Sequence, residues 1–143
     1  MGWSPWTEIG KRRLRRVVCD SPVPGLYFPD EGGEPVIVID RRQPRAVRRS
    51  AAAEELAHHD LDHWPHPDPV ETARMELRAQ RLAAVRLVTV EDLARAITGA
   101  SSWFEVADQL QVDPDLLELR VRDMTNEERA EVLRLVGGRE MGL

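Results

Sequence analysis

The apolar residues of this chain change their period twice along its length, from a helical spacing to strand-like runs and back to helices. Trp6, Ile9 and Leu14, set among basic residues, predict an opening helix, and Val17-Val18-Cys19 predicts a strand. Asp20-Ser-Pro-Val-Pro-Gly25 interrupts the pattern. Residues 25–28 then read as a second strand, Asp30-Glu-Gly-Gly33 as a turn and residues 36–40 as a third strand, so 25–40 predicts a hairpin in a small antiparallel sheet. From residue 45 onward the spacing is helical: 45–64, then, past Pro65-His-Pro-Asp-Pro69, a long helix over 70–88. Further helices are predicted over 90–97, 102–110, 114–123 and 126–136, with Ser102, Asp113 and Thr125 as N-caps and Gly137-Gly138 as the final stop. Trp64, Met75, Leu82 and Leu87 read as core. Strands followed by helices indicate an α+β fold in one domain, 1–143. Its parts are an N-terminal helix and small sheet (1–44), a central helical region (45–88) and a helical tail (89–143).

Composition narrows the class. With 42% hydrophobic and 31% charged residues the chain is of ordinary globular type, and no apolar run approaches the roughly 18 residues a membrane span needs. The start lacks the layout of a signal peptide, and the one cysteine, Cys19, excludes an internal disulfide, so a cytoplasmic setting is expected. The net charge of −5 is unevenly spread: residues 1–50 carry ten Lys/Arg against six Asp/Glu, and residues 51–143 carry ten against nineteen. Two basic clusters, Arg12-Arg13 with Arg15-Arg16 and Arg41-Arg42 with Arg45, Arg48 and Arg49, read either as phosphate contacts or as solvated faces and internal partners of the acidic half.

Candidate chemistry is concentrated in one segment. All four histidines, His58, His59, His63 and His66, lie in HHDLDHWPH, with Glu54, Glu55, Asp60, Asp62 and Asp68 around them. Such a cluster reads as a metal site or as a polar helix end. Residues four apart share a helix face, which pairs Glu54 with His58 and His59 with His63.

The stretch RRSAAAEELAHHDLDH (48–63) resembles the signature helix of ImmA/IrrE-type metallopeptidases, RRxTLAHELGHxxLGH, in particular the short versions carried by actinobacterial phages. The Arg pair, Glu55, Leu56, His58, Leu61 and His63 match without a gap. Gly25-Leu-Tyr and Val36–Asp40 resemble the family's strands before that helix, ELRAQRLAA (76–84) resembles its ExxADxxAA helix, and 104–120 resembles its helical tail. The resemblance implies a zincin-like α+β fold, Glu55 as the catalytic general base, and a metal held by Glu54, His58 and Glu76. The implied ion is zinc, with manganese or no metal as alternatives.

One departure bears on all of this: the first histidine of the HExxH pattern is Glu54 here. Two carboxylates and one imidazole would make a bound metal a weaker Lewis acid and draw the site toward harder ions. Without a metal, Glu54, Glu55 and Glu76 would repel one another if they converge. Gln80 stands where the family carries an acid that would orient a ligand. A second register, His59 and His63 with Asp60, keeps the four-residue spacing but turns about 100° around the helix.

The resemblance implies prophage or repressor regulation by cleaving or binding a protein partner, in the host cytoplasm if the protein is phage-encoded. The alternatives are an inactive pseudopeptidase acting as a binding module and a DNA-binding regulator. For the latter, residues 104–124 have a helix-turn-helix rhythm, but their second helix opens Asp113-Pro-Asp115, with only Arg120 and Arg122 to meet phosphate, so nucleic acid is not the expected partner and no membrane is.

Overall fold

Val36-Ile-Val-Ile-Asp40 is the most apolar run of the N-terminal part, and it occupies the centre of the sheet. The computed structural model describes residues 2–29 and 32–141. Its first elements are α1 (Pro5–Lys11), β1 (Arg15–Cys19), β2 (Gly25–Phe28) and β3 (Val36–Asp40), with sheet order β1-β3-β2. β2 and β3 form the predicted antiparallel pair, Gly25 opposite Ile39 and Phe28 opposite Val36. The turn positions Asp30 and Glu31 lie outside the described residues. β1 differs from the expectation of an antiparallel sheet: it runs parallel to β3, Arg15 opposite Val36 and Cys19 opposite Asp40. Two chain reversals separate β1 from β3, which restores the strand direction. The flanking strands pair the β3 backbone on both sides, while Ile37 and Ile39, each 0% exposed, are covered on their face by Ile9, Leu14, Ala51, Ala52 and Leu56. Each isoleucine contributes about 2–3 kcal/mol by burial.

α2 (Arg45–Asp60) packs against β2, β3 and α3 (Pro69–Leu87), and its buried run Ser50-Ala-Ala-Ala53 explains how. Small side chains let a sheet approach one side and a helix the other. Ala51, Ala52 and Leu56 join Ile9, Leu14, Ile37 and Ile39 in one core, whereas Ala53 joins Ala83, Ala84, Leu87 and residues of the later helices in a second. The helix ends at Asp60, not at residue 64: the Leu61 and His63 amides turn back onto the Ala57 and His58 carbonyls, both at 2.9 Å, and Asp62 takes a left-handed φ of 55°. Trp64 is therefore off the helix and 48% exposed, and Met75 is only partly buried, so neither is core; Leu87 is.

The remaining helices are α4 (Val90–Gly99), α5 (Trp103–Leu110), α6 (Pro114–Arg122) and α7 (Asn126–Met141). Ser102 and Asp113 cap α5 and α6, accepting from the Glu105 and Asp115 amides. Thr125 and Glu128 form a reciprocal capping box, each side chain bonding the other's amide at 3.1 Å. Gly137 and Gly138 do not stop α7. No described glycine has the positive φ that ends a helix, so α7 continues at the modest cost of glycine in a helix interior.

α6 sits against α3 and α5, and its Arg120 is 4% exposed, donating to the Val88 carbonyl (2.9 Å) and to Glu128 (2.8 Å). Arg122 pairs with Glu118 at 2.6 Å. Arg120, one of the two guanidiniums that a DNA-binding reading would need, is thus a tie within the core. Five arginines of the two basic clusters have partners within the fold: Arg12 binds Glu8 and Asp60, Arg16 lies over the Trp6 ring, Arg41 and Arg42 pair with Asp20 and Asp40, and Arg49 donates to the Leu110 and Gln111 carbonyls, while Arg13, Arg15 and Arg45 are exposed. Among the described residues, no helix is long and apolar enough to cross a membrane.

Candidate active site

A cleft of about 310 Å³ opens between β2, α2 and the start of α3, walled by Gly25, Leu26, Trp64 and Met75, with Glu54, Glu55, His58 and Glu76 at its polar end. The close approach of β2 to α2 depends on Gly25: a Cβ there would lie 3.1 Å from Glu55 Cγ and Oε2 and 3.2 Å from Ala51 Cβ. Glu55 is therefore roofed by backbone, in the kind of apolar setting that favours a neutral carboxyl.

His58 lies on the α2 face that points to α3, where its Nε2 is 3.2 Å from Glu76 Oε1. Its Nδ1 is 2.8 Å from Nδ1 of His63. Burial works against a charged His58, but the hydrogen bond to Glu76 and the nearby Glu55 and Glu54 outweigh it and raise its pKa. His63 moves the other way, lowered by burial and by His58. The pair is consistent with a His58 imidazolium donating from both nitrogens, to Glu76 and to a neutral His63. Glu76, although 54% exposed at its side chain, is held below the usual range by that hydrogen bond.

Glu54 and Glu55 behave oppositely. Burial pushes each up to about 7, with Glu76 and Asp113 adding to the effect at Glu54, and Glu76 and Glu54 at Glu55, while His58 opposes it at both. Burial is the main cause at both, and repulsion from the neighbouring carboxylates adds to it.

The alternative register is not assembled. His59 Nδ1 meets the Tyr27 hydroxyl at 2.8 Å, linking α2 to β2, whereas His63 lies beyond the helix end beside His58. Asp60 is clamped between Arg12 (2.7 Å) and Arg86 (2.7 Å), away from either histidine's service. His66 is a loop residue whose Nδ1 accepts from the Asp68 amide. Gln80 lies in a neighbouring cavity with Glu54, Asp113 and Glu118.

Among the described residues, no group of three His, Cys, Asp or Glu side chains is arranged to hold a metal ion. His58 and Glu76 meet, but Glu54 does not complete a ligand set with them, so the residues present do not fit the three-ligand zinc centre that the resemblance implies. Several wall residues were not legible as site residues. Trp64 and Met75 carry an apolar signal that also describes core, and only the position of Gly25 at the head of a strand hinted at a close approach.

A small edge strand beside a helix bearing a Glu-x-x-His segment, with a carboxylate offered by the next helix, defines a zincin-like α+β fold. The profile of the IrrE N-terminal-like domain, Peptidase_M78, matches residues 16–122, and the chain belongs to that family as a metallopeptidase-like protein. No curated protein and no solved structure shows a match to it.

Proposed function

We propose that this chain is a pseudopeptidase that keeps the family's cleft as a binding site for an extended segment of a protein partner. The observation that supports it is the replacement of the first ligand histidine by Glu54, a half-buried carboxyl that does not assemble with His58 and Glu76 into a metal-holding group. The cleft is bordered by edge strand β2 and includes the apolar side chains of Leu26, Trp64 and Met75 in its lining. The resemblance points to a repressor-type regulator of a phage as the partner, in the host cytoplasm.

One observation favours a second reading, a retuned metallopeptidase. The 3.2 Å between His58 Nε2 and Glu76 Oε1 is close to the separation of two ligands on one tetrahedral ion with bonds of about 2.0–2.1 Å. Elemental mass spectrometry on untagged protein, after addition of Zn²⁺ or Mn²⁺ and dialysis, separates the two. The pseudopeptidase retains no stoichiometric metal. Near one equivalent, lost in His58→Ala, would overturn the proposal and establish the second reading.

A further inference from the structure

Glu54 faces two cavities. Beyond the cleft already described, it lines a second one of about 360 Å³ with Gln80, Asp113, Glu118, Leu119 and Arg122, between α2, α3 and α6. Glu54 is common to the two linings, the first drawing on β2, α2 and the start of α3 and the second on α2, α3 and α6. Their charge differs. In the first, His58 and Glu76 form an ion pair and burial holds Glu54 and Glu55 toward the neutral form; the second is acidic, with Asp113, Asp115 and Glu118 against Arg122, which is paired with Glu118. Glu54 itself makes no hydrogen bond or ion pair among the described residues, although it is half-buried and lines both cavities. Leu116 and Leu119 supply an apolar wall of the kind that the methylene stem of a long cationic side chain covers.

We propose that the two cavities form one groove, in which an extended partner segment bordering β2 inserts a lysine or arginine side chain into the second cavity, between Glu54, Asp113 and Glu118. This rests on the partner-binding reading and names the chemistry of the segment bound. The cationic head meets Asp113 and the Glu118 that Arg122 shares, and its charge draws Glu54 toward the ionised form, while Leu26, Trp64 and Met75 of the first cleft take the neighbouring uncharged side chains. Charge complementarity of this kind sets register and selects against acidic segments, which the groove would repel.

The test is selection of a displayed random-heptapeptide library on the full chain and, in parallel, on Asp113→Asn/Glu118→Gln. An asparagine in place of Asp113 can still cap α6, and the Glu118–Arg122 pair is exposed, so the variant is expected to fold, which its circular dichroism and melting curve check. The expected result is enrichment of Lys or Arg at one position on the wild type. That preference disappears on the variant, and the synthetic form of a selected peptide binds the variant about tenfold or more weakly. Its Arg→Gln counterpart binds both proteins alike. Enriched peptides without a basic position, or a basic preference that survives in the variant, would overturn the assignment of the second cavity and leave the binding reading standing. No enrichment on the folded wild type would overturn both.

Discussion

His58 Nε2 and Glu76 Oε1, 3.2 Å apart, join α2 to α3 at the polar end of the cleft, and nothing else in the site is so directly paired across the two helices. The consequence is an unequal partition of protons. His58 and Glu76 hold opposite charges that favour each other, while Glu54 and Glu55 are left as carboxyls that burial keeps from ionising.

That partition makes stability depend on pH. Glu54 and Glu55 have folded-state pKa values raised to about 7 from 4.5, so the folded protein binds protons more tightly than the unfolded chain and loses stability as pH rises from about 4.5 through 7. The raised His58 acts in the same sense: its contribution is full below the unfolded value of about 6.5 and is lost as pH rises through the folded one. The lowered Glu76 contributes above 4.5 and loses its effect in acid. Thermal melts should therefore show a falling melting temperature from pH 5 to pH 8. Glu55→Gln should flatten that slope and stabilise the protein at pH 8 by an amount on the order of 2 kcal/mol. An unchanged slope in Glu55→Gln would contradict this account.

Restoring the missing ligand tests the rest of the site. Glu54→His supplies an imidazole one helical turn before His58, removes one of three mutually repelling carboxylates, and is expected to raise zinc retention by at least tenfold over the wild type in a competition titration. If His58 and Glu76 are not in position to share an ion, the variant will bind zinc no better than its parent.

Gly25→Ala places a Cβ against Glu55 and Ala51 at 3.1–3.2 Å. Glu55 can turn its side chain aside, but Ala51 Cβ is fixed to α2 and cannot retreat without moving β2 from α2, so chemical denaturation should show a loss of about 1–3 kcal/mol. A second readout is the fluorescence of Trp64, which lines the same cleft.

Asp60 is the joint between α1, α2 and α3, accepting Arg12 and Arg86 at 2.7 Å each. Asp60→Asn leaves two half-buried guanidiniums facing each other. Because the site is partly open to solvent, the expected cost is about 1–2 kcal/mol, between the values for exposed and buried pairs. A melting temperature equal to wild type would show that the joint adds nothing net.

Arg120 distinguishes a core tie from a nucleic-acid contact. Arg120→Ala strands the Val88 carbonyl, leaves Glu128 with the Thr125 amide alone, and should cost about 2–4 kcal/mol in equilibrium unfolding. A variant that stays fully stable but loses a salt-dependent affinity for duplex DNA would reverse the assignment.

Much of this protein was legible in the chain itself. The β-branched runs, the hairpin pairing of β2 with β3, the caps at Ser102, Asp113 and Thr125, and the helical spacing from Arg45 onward are local matters, set by side-chain shape and by hydrogen bonds a few residues apart. So was the family, because the Glu55-x-x-His58 segment and its neighbours stand in one helix. What only the tertiary structure decided is non-local. The parallel direction of β1 follows from the two chain reversals that place β2 and β1 on opposite sides of β3, and the end of α2 at Asp60 from a left-handed Asp62 that brings His63 back onto His58. The meeting of His58 with Glu76, the engagement of His59 by Tyr27, and Glu54 lining two cavities each depend on elements far apart in sequence. Period and propensity say which face a residue occupies, but the partner across that face is set by how the helices pack, and here that packing determines which carboxyl is paired and which stands alone.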